Sequence, residues 1–231
     1  MNTNIEVLGG GASTVAAGAA ERQRVLRNTY ALLALSMLPT VLGAWIGLQT
    51  GIAAAMSPML GLVVFMAGAF GFIFAIEKFK NSGLGVGLLL GFTFFMGLML
   101  ARLLGFVLSK GNGAGLVMTA FAGTSAVFFG MAVLSSVVKR DLSGLSRFLF
   151  IGAIGLLVAM VANVFLQSGA LMLTLSVLAI GIFSAFILVD LKRVRDGEET
   201  NYVTATLGVY LSLYNVFQNL LMLLGVFGGD E

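Results

Sequence analysis

Seven long apolar runs, separated by short polar links, make up most of the chain. They cover about 29–48, 53–76, 84–108, 114–138, 148–167, 170–190 and 204–227. Each is near the roughly 20 residues that a helix needs to cross a bilayer. No period-two alternation competes with them, so strands are not expected. The links are short, which predicts that runs adjacent in sequence pack as antiparallel neighbours. Residues 1–28 are small and polar, with "GGGASTVAAGAAERQRVLRN". They are expected to form a flexible tail. No apolar run opens the chain, so a cleaved signal peptide is not expected. The predicted fold class is an all-α integral membrane protein of seven transmembrane helices.

Composition supports this. Hydrophobic residues make up 59% of the 231 and charged residues only 10%; a soluble domain carries about 25% charged residues. Mean hydropathy is +1.04. The partner this predicts for most of the surface is the lipid bilayer. Charge sets the expected orientation. Eleven basic residues fall on one side: Arg22, Arg24, Arg27, Lys78, Lys80, Lys139, Arg140, Arg147, Lys192, Arg193 and Arg195. The other side has only Lys110, and Arg102 lies within a span. By the positive-inside rule the N-terminus is cytoplasmic and the C-terminus, "GGDE", is periplasmic. A net charge of +3 spread over loops gives no nucleic-acid footprint.

Several chemistries are excluded by residue type. The chain has no Cys and no His. That removes disulfides, thiolate metal sites, Ser–His–Asp triads and HExxH zinc sites. The seventh run has no Lys for a retinal Schiff base. Gly83, Gly85 and Gly87 follow no strand and precede no Walker lysine, so they are not a nucleotide loop. An enzyme is not expected, and no cofactor or metal site is indicated.

The polar residues inside the runs are few. Arg102 lies six residues before Leu108, about 9 Å from the outer end of the third helix at 1.5 Å per residue. It is read as an anchor at the outer interface, snorkelling to the headgroups. Asp190 sits at the inner edge of the sixth run, where a carboxylate is costly and opposes the helix dipole. Lys192 or Arg193 would neutralise it if it is an interfacial residue; an ion or proton site is the alternative. The seventh run, "TATLGVYLSLYNVFQNLLMLLG", is the most polar. Gly208, Ser212, Asn215 and Asn219 recur at spacings of four, three and four, which is one helical face. Tyr210, Tyr214 and Gln218 form a second strip. Such a helix is expected to be enclosed by the other six. Its stripe is either interhelical glue, with Gly208 and Ser212 allowing close packing, or the wall of a polar pathway.

With these residues in view, the chain resembles the Bax inhibitor-1 family. The resemblance covers nearly everything from Arg24 onward. It rests on "VLRNTY" entering the first helix, "MVANVFLQ" ending the fifth, and "GEETNYVTATLGVYLSLYNVF" leading into the seventh, in matching order. Within the family it points to the proteobacterial YccA-type branch. The resemblance implies a central seventh helix and two activities. Members of the YccA branch associate with the FtsH membrane protease and modulate it. Other members leak calcium or protons through a path gated by paired aspartates on the sixth and seventh helices. Asp190 matches the first aspartate. The second falls in "YLSLYN", where this chain has Ser212. Without a carboxylate pair sharing a proton, calcium or proton binding at Asp190 is expected to be weak. The resemblance therefore implies a modulator or partner of FtsH in the bacterial inner membrane. The alternative is a pH-sensitive leak channel through Asp190, Ser212, Asn215 and Asn219.

Overall fold

The computed structural model describes residues 3–228, with side chains from Gly18 onward. Eight helices follow one another: α1 (Thr3–Thr50), α2 (Ile52–Ala55), α3 (Pro58–Phe79), α4 (Gly83–Leu108), α5 (Gly113–Val137), α6 (Ser143–Leu166), α7 (Gly169–Asp196) and α8 (Tyr202–Phe227). Among the described residues there is no strand. Seven helices are long and apolar enough to cross a membrane; α2 is the exception.

Local sequence explains where the helices end. Gly51, in the left-handed region at φ +64°, ends α1. Ser57 accepts a hydrogen bond from the Leu60 amide, and Pro58 stands at the start of α3. A serine cap followed by proline is a strong start signal. The second span therefore starts at Pro58 and not at 53; residues 52–55 form the separate turn α2. At the other end of the bundle α7 runs past residue 190 to Asp196. It stops at Gly197, at φ +83°, where the Glu198 amide returns to the Arg193 carbonyl at 2.9 Å. That six-to-one bond is a glycine-terminated helix end.

Helix α1 reaches into the stretch 1–28 expected to form a flexible tail. Residues 1 and 2 lie outside the described residues, and α1 is already helical from Thr3. Val25, Thr29, Leu32, Ser36, Gly43 and Gly47 are all buried. Their spacing keeps one face of α1 against the bundle from residue 25 onward. Packing of Val25 with Val194 and Ala205 orders the approach to the membrane.

Helices α4 and α8 are among the most deeply buried spans, whereas α3 and α6 present most of their surface to lipid. Helix α8 packs against α7, α5, α1 and α4 and touches α3. Five of the six spans expected around the polar helix thus meet α8, and helix α6 packs mainly on α7. Its Phe148, Phe150, Ile151 and Phe165 are exposed, as a lipid-facing helix requires. The main core joins Leu89, Phe92 and Met96 of α4 to Val209, Tyr210 and Val216 of α8.

The tightest contact is the seam between α1 and α4. Gly43 packs on the Phe94 carbonyl, Gly97 on the Thr40 carbonyl, and Gly47 on Ala101. Thr40, Gly43, Ala44 and Gly47 face Phe94, Gly97, Leu98 and Ala101, the same 3-1-3 spacing on both helices. Small residues let backbones meet where there is no hydrophobic drive between helices in lipid.

Candidate functional site

Asp190 lies six residues before the end of α7, about 9 Å inside the helix at 1.5 Å per residue. It is half-buried. Its carboxylate rests on α8 at Gly208: a Cβ placed there would lie 3.0 Å from Oδ2. Glycine at 208 thus makes room for the carboxylate. Ser212, one turn further along the same face of α8, is buried. The structure therefore brings Asp190 and Gly208 together between α7 and α8.

Neither expected cation pairs with Asp190. Lys192 is buried and pairs with Asp196, which also binds Arg195 at 2.8 Å. Arg193 lies 3.9 Å from Glu198. The reason is the glycine turn, which folds Glu198 back to the last turn of α7 and supplies Arg193 with an exposed carboxylate. Among the described residues Asp190 makes no ion pair.

The amides that completed the expected stripe behave differently. Asn215 donates to the Leu211 carbonyl and Asn219 to the Asn215 carbonyl, each at 2.8 Å. Each of these bonds stays within α8 and none joins the amides to another helix. Bonds between helices come from hydroxyls. Tyr214 donates to the Met96 carbonyl at 3.1 Å. The Tyr210 hydroxyl lies 2.9 Å from Thr40 Oγ1. Each hydroxyl also has a carbonyl to donate to, Ser36 for Thr40 at 2.8 Å and Thr93 for Tyr210 at 3.4 Å, so either can be the donor of the pair. Thr206 donates mainly to the Tyr202 carbonyl of its own helix at 2.6 Å and lies 3.3 Å from the Thr29 carbonyl of α1. Gln218 is half-buried. Thr29, Thr40 and Thr206 were not singled out in the sequence; single threonines in apolar runs carry no signal of which helix they meet.

Below Asp190 the cytoplasm-predicted end is polar. A cleft of about 330 Å³ opens between α1 and the α7–α8 link, lined by Glu21, Arg22, Val25, Asp196, Gly197 and Glu199. Asn201 caps α8, accepting from the Val203 and Thr204 amides, and donates to the Lys80 carbonyl and to Asn81. It therefore ties the α3–α4 link to the start of α8. At the opposite end Arg102 is exposed, and its Nη1 donates to the Met56 carbonyl at 3.3 Å. Among the described residues no three metal-ligating side chains converge. Asp190 and Ser212 offer one carboxylate and one hydroxyl, far short of the six to eight oxygens that calcium takes.

The family described as "Inhibitor of apoptosis-promoting Bax1" matches residues 22–229. An uncharacterized protein of Neisseria meningitidis serogroup A is 38% identical over 213 residues, 91% of this chain and 94% of its own. The "Modulator of FtsH protease YccA" of Escherichia coli K12 is 38% identical over 207 residues, 90% of this chain and 92% of its own. The same identity and coverage hold for the "Inner membrane protein YccA" of Escherichia coli O6:H1. With seven apolar spans, the chain is a multi-pass membrane protein.

Proposed function

The chain belongs to the Bax inhibitor-1 family, and on that premise we propose that it is a non-catalytic modulator of an FtsH-type membrane protease. The observation that carries this is end-to-end similarity to a relative named for that role. Inner-membrane residence follows the relative named as an inner membrane protein. The lysine and arginine asymmetry puts the N-terminus in the cytoplasm and the C-terminus in the periplasm. An AAA protease pulls from the cytoplasmic side. In this reading the N-terminal helix is the segment offered, and the close-packed bundle behind it resists extraction. A bound, slowly extracted protein would occupy the protease and so modulate it.

The experiment is co-purification from detergent-solubilised membranes, combined with degradation of a membrane substrate by the protease in proteoliposomes. Association and slowed degradation on adding this protein are expected. The absence of both effects would overturn the proposal. A reporter fused after Glu231 should behave as periplasmic. Deleting residues 1–20 should leave the bundle folded and slow turnover of the protein.

One observation favours a second reading, an ion or proton leak: the unpaired Asp190 carboxylate against Gly208, on the face of α8 that carries Ser212. Calcium flux in liposomes holding only this protein tests it. Ser212→Asp should create or raise a pH-dependent leak, and adding Asp190→Asn should abolish the gain. A flat response of Ser212→Asp between about pH 6 and 8, where paired carboxylates share protons, would remove this reading.

A further inference from the structure

We propose that Arg102 and the groove beside it bind a phospholipid of the adjacent leaflet, with the phosphodiester on the guanidinium and one acyl chain in the groove. The groove has a volume of about 300 Å³ and lies where α2, the start of α3 and α4 meet. Met56, Gly61, Leu62, Phe65 and Met99 line it together with Arg102. Its walls are apolar apart from that one cation. Gly61 lies beside the guanidinium: a Cβ there would stand 3.9 Å from Nη1 of Arg102, in ordinary contact. A longer side chain at 61 would fill the groove.

Among the described residues Arg102 has no anionic partner. Its one protein hydrogen bond among them is to the Met56 carbonyl. A guanidinium has five donors in a planar fork that fits phosphate with two parallel bonds. Exposed about 9 Å inside the end of α4, it sits near the acyl–headgroup boundary, where an uncompensated charge is costly. The anion supplied at that depth all round the bundle is the lipid phosphate. A second feature lies further toward the same end of the bundle, at the end of α4 and in the turn after it. Phe106, four residues on, is exposed, and the ammonium of Lys110, four further, lies 5.0 Å from its ring centre. An aromatic ring and a second cation at headgroup level suit the same ligand. The apolar groove sets a lipid apart from free phosphate, which would have no use for it.

The test uses the full chain in neutral detergent, with native mass spectrometry of bound lipid. The probes are dioleoyl phosphatidylglycerol, dioleoylglycerol with the same chains and no phosphate, and inorganic phosphate. Phosphatidylglycerol should bind best. Arg102→Gln should weaken it at least about tenfold, the effect of losing one charge-assisted pair. Gly61→Leu leaves the guanidinium in place and blocks the groove, and it should weaken binding similarly. Arg102→Lys should fall between wild type and Arg102→Gln. Equal binding of dioleoylglycerol and phosphatidylglycerol, or unchanged binding in both Arg102→Gln and Gly61→Leu, would overturn the proposal. Inorganic phosphate competing as well as the lipid would reduce the site to a simple anion site and overturn it too.

Discussion

Replacing Gly97 by alanine adds one methyl group at the centre of the α1–α4 seam. The new Cβ would stand 2.1 Å from the Thr40 carbonyl oxygen and 2.9 Å from the Ala44 nitrogen. Ordinary contact starts at 3.4 Å, so the helices must part by about 1.3 Å there. The obstacle is backbone and has no rotamer to move. Overpacking of this kind costs about 1–3 kcal/mol. A parting of even 0.5–1 Å forfeits a quarter to a half of each dispersion contact, which puts Gly97→Ala near the top of that range. Gly130 is the control: nothing lies within 4 Å of its Cβ position. Gly130→Ala should stabilise α5 by about 0.5–1 kcal/mol through helix propensity alone. The two variants should therefore differ by about 2–4 kcal/mol. Reversible unfolding in mixed micelles, followed by the single tryptophan, Trp45, which lies on α1 between Gly43 and Gly47, measures this. If the variants agree within about 0.5 kcal/mol, the scatter of neutral surface changes, the seam does not hold α1 to α4.

Tyr214→Phe removes the hydrogen bond to the Met96 carbonyl and should cost about 0.6–1.7 kcal/mol by the same assay; Asn215→Leu breaks only a bond within α8 and should cost less. Asn201→Ala should cost about 0.5–2 kcal/mol through loss of the α8 cap, whereas Asn201→Asp keeps the cap acceptor, loses the two donations to residues 80 and 81, and should speed amide exchange in the α3–α4 link. Asp141, in the α5–α6 link, accepts from the Ser143 amide and hydroxyl, each at 2.8 Å, and these bonds hold its carboxyl below the usual range. Its folded-state pKa is lowered, so its contribution is complete above about pH 4, the unfolded value, and is lost as pH falls through the folded one. Exchange at the Ser143 amide should accelerate on that acid limb, and Asp141→Ala should flatten the pH dependence.

Much of the fold was legible because a bilayer-spanning helix leaves a signal of length and apolarity that nothing else in the chain imitates. Ser57–Pro58 and Gly197 also carried their meaning in residue type, as a helix start and a helix stop. The α1–α4 seam was legible too: "GAWIG" at Gly43–Gly47 is a G-x-x-x-G run. The polar residues of α8 carry a more conspicuous signal than this run. Those misled in a specific way. An asparagine amide can close on the carbonyl four residues back, so a stripe of amides does not require a neighbour. A tyrosine carries its hydroxyl at the end of a ring too long to reach its own backbone, so it must find another helix. The partner of Asp190 was not legible. Lys192 and Arg193 stand at helical spacing from it, yet Asp196 and Glu198 compete for them, and the outcome depends on the turn at Gly197.

The seam and the proposed protease reading meet in one consequence. A protease pulling on the N-terminal end of α1 must peel that helix from α4 before it can draw the bundle apart. The contact to be broken runs from Gly43 to Gly47 and consists of backbone against backbone, so it yields as a unit. Resistance to pulling is governed by the unfolding barrier and not by contacts at the protease itself. Gly97→Ala loosens the seam on the membrane side and leaves the N-terminal handle unchanged. Its association with the protease should therefore persist, while its own degradation speeds up and its hold on the protease shortens. At about 3 kcal/mol of lost stability, if most of it appears in the unfolding rate, degradation should rise on the order of a hundredfold. Pulse–chase of wild type, Gly97→Ala and Gly130→Ala at equal expression measures this. If Gly97→Ala is unfolded more easily in micelles yet is degraded at the wild-type rate, peeling of α1 is not the step that limits extraction.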